Sequence, residues 1–158
     1  MPAASRVRRG AGAPGRAARL DEGLGLLRRL PAGEQVGHDG AHFAARDVRV
    51  LPPATRPGGI PSRIGGRWPD AAPLRRAARY EGAFVISLPG PGDLAGVRQA
   101  IAGARGGDLA GSAVGVELPA DADCAPWETA GATWVLTRPR PYRLDVADVR
   151  RVVRRGPR

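Results

Sequence analysis

Residues 60–87 read IPSRIGGRWPDAAPLRRAARYEGAFVIS and contain, in order, a short extended run, a glycine pair, a helical pattern and an apolar run. The apolar run at 82–87 has the unbroken hydrophobic character of a strand that is buried on both faces of a parallel sheet. Residues 73–80 place Leu74 and Ala77 on one helical face. A strand, a helix and a second strand joined by short loops predict a right-handed βαβ unit.

The same strand and helix unit recurs toward the C-terminus. Apolar runs at 113–118 and 132–137 predict two further strands. Apolar spacing with start and stop signals predicts three more helices: one capped by Asp93, one begun at Pro126, and one over residues 145–155 that Gly156 ends. Four such units predict an α/β fold, and periodicity leaves open whether they form half of a TIM barrel or a small open sheet.

Two other elements precede these units. Leucines at helical spacing predict an amphipathic helix over residues 16–30. Residues 35–50 contain Asp39-Gly40 between two extended runs, which predicts a hairpin with a two-residue turn. Residues 1–15 are rich in arginine and contain no acid, and we expect a disordered leader there. The remaining residues, 16–158, are then one domain.

Length and charge narrow the function classes. The chain has 158 residues, whereas a complete TIM barrel takes about 250. Its net charge of +10 arises at the two ends of the chain, because basic and acidic residues balance in the middle. Nucleic-acid binding by the folded middle is therefore not expected, and binding by the arginine-rich tails stays open as an alternative.

Cysteine and histidine usage gives no sign of a metal or disulfide protein. Cys124 is the single cysteine, and we interpret it as a small packed side chain. His38 and His42 flank the predicted turn without the further ligands of a zinc site, so we expect exposed hairpin residues. No apolar stretch is long enough to span a membrane. These observations predict a cytoplasmic protein.

The order of five segments resembles the C-terminal half of luciferase-like monooxygenases, a family of flavin mononucleotide (FMN) or deazaflavin enzymes built on a TIM barrel. The segments are RAARLDEGLGLLRRL, GHDGAHFAARDVRVLPP, GIPSRIGGRWPD, PLRRAARYEGAFVI and GATWVLTR. The resemblance implies that the four strands are the fifth to the eighth of the barrel. It also implies that the first four strands are missing from this chain.

The resemblance assigns cofactor contact to the loop after the first of these strands. We expect that strand at residues 60–64, with the glycine pair as the loop that follows it. Glycines let a phosphate approach backbone N–H groups at a helix N-terminus. The implied cofactor-binding residues are Ile64, Gly65, Gly66, Arg67 and Trp68. A plain strand-to-helix turn is the alternative interpretation of the same pair.

Several other polar and aromatic positions allow expectations about their environment or role. Arg63 stands where the family usually has a β-branched or aromatic residue, so we expect it to disturb the strand or face solvent. Glu117 ends a strand without a visible partner that would tune its pKa. Trp134 is expected in the core. Three arginines follow the last strand and either bind an anion or are solvated: Arg138, Arg140 and Arg143.

A second nucleotide-binding pattern is weaker. Residues 90–96 read GPGDLAG after an apolar strand, which approaches the dinucleotide motif G-x-G-x-x-G. Its last glycine is one position late, and Asp93 would set a negative charge against a pyrophosphate. We interpret this segment as a loop with a capping aspartate.

These observations predict a flavin- or deazaflavin-dependent oxidoreductase or monooxygenase that acts on a small-molecule substrate. Turnover would require a homodimer or a partner that supplies the missing half-barrel. Catalytic residues are not identified by the sequence. A non-catalytic half-barrel remnant with exposed strand edges is the alternative, beside nucleic-acid binding by the tails.

Overall fold

The computed structural model describes residues 13–138 and 145–156. The chain divides into two compact units, Met1–Ile60 and Pro61–Arg158, and this division lies inside the single domain expected for residues 16–158. The leader expected at residues 1–15 falls outside the described residues up to residue 12. Residues 13–15 are helical, so a disordered leader that extends to residue 15 is wrong.

The first unit consists of a helix and an antiparallel hairpin, as the sequence predicts. Helix α1 spans Ala13–Arg29 and continues into a 3-10 turn that ends at Gly33, whose φ is +73°. Strands β1 (Val36–Asp39) and β2 (Ala44–Val48) pair antiparallel. The predicted helix and hairpin are thus both present, although the hairpin turn differs from the prediction.

The hairpin turn is four residues long, 40–43, because a carboxylate from α1 holds it open. Glu22 accepts hydrogen bonds from the amides of His42 at 3.0 Å and Phe43 at 2.8 Å, and it contacts Nε2 of His38 at 2.9 Å. The His38 bond, followed by the two amide bonds, lowers the pKa of Glu22. The predicted two-residue Asp39-Gly40 turn is therefore wrong, and His38 is half-buried rather than exposed.

The second unit is a four-stranded parallel sheet in the sequential order β3-β4-β5-β6. Its strands are β3 (Ile64–Arg67), β4 (Gly82–Ile86), β5 (Ala113–Pro119) and β6 (Trp134–Arg138). A helix follows each strand: α2 (Ala71–Ala77), α3 (Asp93–Ala104), α4 (Ala125–Thr129) and α5 (Val146–Arg155). The α/β class and the four parallel βα units are as the sequence predicts.

Strand β3 lies further along the chain than predicted. It pairs with β4 from Ile64 opposite Ala83 to Arg67 opposite Ile86, so the glycine pair lies inside the strand and the prediction of a loop there is wrong. Residues 60–63 are not strand: the amide of Ser62 donates to the Glu81 carboxylate at 2.8 Å, and its carbonyl oxygen accepts from the Glu81 amide at 3.1 Å, just before β4 begins. The position of β3 is set by its pairing with β4. Local residue preferences contain no information about that pairing.

The core lies between the sheet and the two helices α2 and α3. Side chains at alternate strand positions point to these helices and are buried: Ile64, Ala83, Val85, Val114, Val116 and Leu118. The helices contribute Leu74, Leu94, Val97 and Ile101. Strands β4 and β5 approach closely at Gly82, whose φ is +153°. A Cβ at this position would collide with the carbonyl oxygen of Ala113, so the approach requires glycine.

The helix ends follow the predicted signals in part. Asp93 is the first residue of α3 and makes no capping bond, so its expected capping role is wrong. Asp145 caps α5 by accepting from the amide of Ala147 at 2.8 Å, and Gly156 ends that helix with a φ of +73°. Among the described helices, none combines the length and hydrophobicity of a membrane span.

Candidate cofactor site on the open face of the sheet

The sheet of the second unit has one face packed against helices and one face that points away from α2 and α3. Alternation along each strand assigns the odd positions of β3 and β5 and the even positions of β4 and β6 to the second face. We call this the open face, formed by Gly65, Arg67, Phe84, Ile86, Gly115, Glu117, Trp134, Leu136 and Arg138. Trp134 is 54% exposed and Leu136 is 45% exposed.

Four residues form a row across the open face, one from each strand. The strand registers align Gly65 with Phe84, Phe84 with Gly115, and Gly115 with Trp134. The Phe84 ring lies over Gly115, because a Cβ at Gly115 would approach its Cδ2 to 2.9 Å. Gly65 has no heavy atom within 4 Å of the place of its missing Cβ. The row therefore has open space at Gly65 and none at Gly115.

A cation–π contact crosses this row from one edge strand to the other. The Arg63 guanidinium lies 4.8 Å from the centroid of the Trp134 ring. The strands next to these residues, β3 and β6, are separated by three inter-strand spacings of about 4.8 Å each. Trp134 is thus not a core residue, because it points to the face that these helices do not cover. Arg63 stays exposed, as one of the two expectations has it, and stacks on that ring.

A second row lies nearer the C-terminal ends of the strands and carries the charged groups. Nη1 of Arg67 donates to the Ser87 hydroxyl at 3.1 Å. Nε of Arg138 lies 3.9 Å from the Glu117 carboxylate, which is half-buried. Glu117 therefore has an ionic partner that its sequence context did not indicate. Two guanidinium groups and one carboxylate line this end of the open face.

Ser87 is the residue of this end that sequence reasoning missed. It follows β4 directly and has a φ of +62°, in the left-handed region that side chains other than glycine rarely occupy. Such residues cost about 1–3 kcal/mol each and cluster at ligand and catalytic sites. A serine after an apolar strand carries no sequence signal of this conformation.

The five predicted cofactor-binding residues divide between the two sides of the sheet. Gly65 and Arg67 belong to the open face. Ile64 is buried toward the helices, and a Cβ on Gly66 would lie 2.7 Å from Cβ of Pro73 in α2. The Trp68 indole packs against Gly96 of α3. Cofactor binding by these five residues stays a prediction.

The second unit also has a cleft beside β6. It has a volume of about 420 Å³ and opens on the helix side of β6, between α4 and α5. Cys124 is half-buried at its wall, beside Glu128 and Val152. Among residues 13–138 and 145–156 no cluster of metal-ligating side chains is present. Arg140 and Arg143 of the predicted anion site lie outside the described residues.

Comparison with known proteins places the fold but not the family. No family model matches the chain, and no curated protein matches it. Among solved structures, the chain is similar to an F420-dependent secondary alcohol dehydrogenase in complex with an F420-acetone adduct, with a TM-score of 0.65 and 10% sequence identity. The two chains share a fold. The similarity covers 85% of this chain and 59% of the dehydrogenase chain.

Proposed function

We propose that this chain is part of a luciferase-like oxidoreductase barrel that binds a deazaflavin or flavin cofactor and acts on a small-molecule substrate. The observation that carries the proposal is the fold shared with the F420-dependent dehydrogenase over 85% of the chain. The sequential parallel order β3-β4-β5-β6 supports it, because successive βα units of a barrel have that order. The open face then corresponds to the inside of the barrel.

The cofactor site that we propose is the C-terminal end of the open face. Barrel enzymes hold their ligands at the C-terminal ends of the strands. Arg67 and Arg138 supply cations there that suit a phosphate-bearing cofactor, and Gly65 leaves space in the row of residues below them. Phe84 offers flat apolar surface below these charges, and beside it lies Trp134, on whose ring the Arg63 guanidinium stacks. The residues present thus fit a planar ring with an anionic side chain.

The chain's own contribution is binding and orientation. A bound deazaflavin or flavin supplies the hydride chemistry. Arg67, which Ser87 orients through a 3.1 Å hydrogen bond, would hold the anionic part of the cofactor. Glu117, held by Arg138, is the carboxylate of this face that could exchange a proton with the substrate oxygen. We favour a deazaflavin over FMN because the similar dehydrogenase uses F420.

Turnover would require further strands. In the described part of the chain β3 and β6 each have a neighbour on one side, so the sheet has two free edges. The chain spans 59% of the length of the similar dehydrogenase chain. A half-barrel that binds cofactor without turnover is therefore the second candidate, and it shares the same cofactor site.

Cofactor titration of the full chain tests the proposal. The purified protein is titrated with the F420 deazaflavin and, separately, with FMN, and the quenching of tryptophan fluorescence is followed. We expect saturable binding with a preference for the deazaflavin, weakened by Arg67→Ala. Circular dichroism establishes that the sample is folded. A folded protein that binds neither compound saturably contradicts the proposed function.

A further inference from the structure

The side of the second unit formed by β6 and α5 has exposed apolar groups in both of its layers. In the sheet, β6 has β5 as its one neighbour among the described strands, and Leu136 is exposed. In the helix layer, Val146 is 64% exposed and Val153 is 74% exposed, whereas Val152 lines the cleft beside β6. Helix α5 therefore contacts its own unit along one flank and exposes apolar residues on the other.

Arginines border the exposed valines of α5. At 3.6 residues per turn, Arg150 and Arg154 lie next to the line that joins Val146 and Val153. Arg150 and Arg154 also line a shallow hollow on the helix surface. We call these four residues the α5 strip. Asp148, the one acid within α5, pairs with Arg151 at 2.9 Å and not with the arginines of the strip.

The charges disfavour a second copy of this chain as the occupant of the strip. Head-to-tail closure of two copies would bring β3 of one copy beside β6 of the other, and α2 would then neighbour α5. Helix α2 carries Arg75 in its last turn and no acid. Two basic helices would thus meet at the junction, which like-charge repulsion opposes.

A lipid surface fits the strip less well than a protein helix does. Interfacial helices bury a broad apolar face that is rich in Trp, Phe or Leu. The exposed apolar groups of the strip are two valines, and α5 contains no aromatic residue. A narrow apolar line with flanking arginines matches the contact area of one packed helix.

We propose that the α5 strip docks an acidic amphipathic helix of a different polypeptide. Apolar side chains of that helix would cover Val146 and Val153, and its carboxylates would face Arg150 and Arg154. The inference rests on the proposed function, since a barrel requires further βα units beyond β6 and α5. The docked helix is the structural layer that such a unit would add at this side.

Peptide binding to the full chain tests the docking surface. The probe is a labelled synthetic helical peptide with leucines on one face and glutamates on the other, compared with the same peptide carrying lysines in place of the glutamates. We expect saturable binding of the glutamate peptide, followed by fluorescence anisotropy, and none of the lysine peptide. The double variant Arg150→Glu, Arg154→Glu should weaken binding by about tenfold or more.

Two controls isolate the strip. The double variant Arg46→Glu, Arg56→Glu makes the same charge change at exposed positions of the first unit and should leave the affinity unchanged. Val153→Asn removes apolar contact at a position that is already exposed, so the fold is retained while peptide affinity falls several-fold. Circular dichroism of each variant establishes that the helices persist.

Four results would overturn the inference: no saturable binding of the glutamate peptide, equal loss of affinity in the control variant, a dimer of the full chain in light scattering that the strip variant abolishes, or tighter binding to phosphatidylserine vesicles than to the peptide. Deazaflavin titration of the strip variant separates this failure from failure of the proposed function, because the proposed cofactor residues lie on the open face and not on α5.

Discussion

The two faces of the parallel sheet are built from the same strands and differ in how completely they are covered. On the helix face, Val85 and Val116 are fully buried beneath α2 and α3. On the open face, Phe84 of β4 is half-buried, and Trp134 of β6 is more than half exposed. Under α2 and α3 the helix face is a closely packed core, whereas the open face combines unfilled space with charged groups. That combination is typical of a ligand surface and not of a packing surface.

The largest difference between the faces should appear when a leucine is truncated on each. Leu94→Ala removes a fully buried side chain under the helix face and should lower the free energy of unfolding by about 2–5 kcal/mol. Leu136→Ala on the open face should cost less than about 1 kcal/mol, because its side chain is already 45% exposed. Urea unfolding measures both, and equal losses would break the distinction.

The glycine pair offers the sharpest local contrast, since its members face opposite sides. Gly66→Ala would set a Cβ 2.7 Å from Cβ of Pro73 and should destabilise the fold by about 1–3 kcal/mol. Gly65→Ala meets open space and should change stability by less than about 0.5 kcal/mol. Thermal and urea unfolding compare the two, and a Gly65 variant as unstable as the Gly66 variant would contradict the assignment of faces.

Ser87 tests whether the C-terminal end of the open face carries stored strain. Ser87→Gly removes a side chain from a left-handed conformation and should stabilise the protein by about 1 kcal/mol. Ser62 has no positive φ, and Ser62→Gly should lower stability slightly. Urea unfolding gives both values. If Ser87→Gly weakens the protein as Ser62→Gly does, the strain is absent.

Lowering the pH should destabilise the hairpin of the first unit before it destabilises the sheet of the second unit. The hydrogen bonds of Glu22 lower its pKa in the folded state, so their contribution is present above the unfolded pKa and is lost as pH falls through the folded pKa. Glu22→Gln should flatten this acid dependence. Backbone amide exchange at falling pH locates the loss, and we expect it in the hairpin, before either face of the sheet responds.

The alternation of strands and helices could be predicted from the sequence because it is recorded locally. The run Ala83 to Ile86 is apolar without interruption, and the helix spacing of Leu94 and Val97 is regular. Position within the sheet is not recorded in this way. Pairing with β4 places β3 at residues 64–67 and not at the predicted residues 60–64. The four-residue hairpin turn depends on Glu22, which lies 20 residues before His42.

The candidate site was predictable in composition and not in geometry. The resemblance assigned cofactor contact to residues 64–68, and of these Gly65 and Arg67 lie on the open face. It did not separate Gly65 from Gly66, because the distinction depends on Pro73 of α2. Trp134 reads as a core residue in any apolar strand, and its exposure follows from its place on the face that α2 and α3 do not cover.

The central claim is that the open face, at Gly65, holds the cofactor. A deazaflavin titration of Gly65→Val tests it most directly, with Gly37→Val as the matched control, because Gly37 is also an exposed strand glycine with open space around it. The account predicts that Gly65→Val abolishes saturable quenching of tryptophan fluorescence while Gly37→Val binds as the unaltered chain does. Unchanged binding by a folded Gly65→Val variant would contradict it.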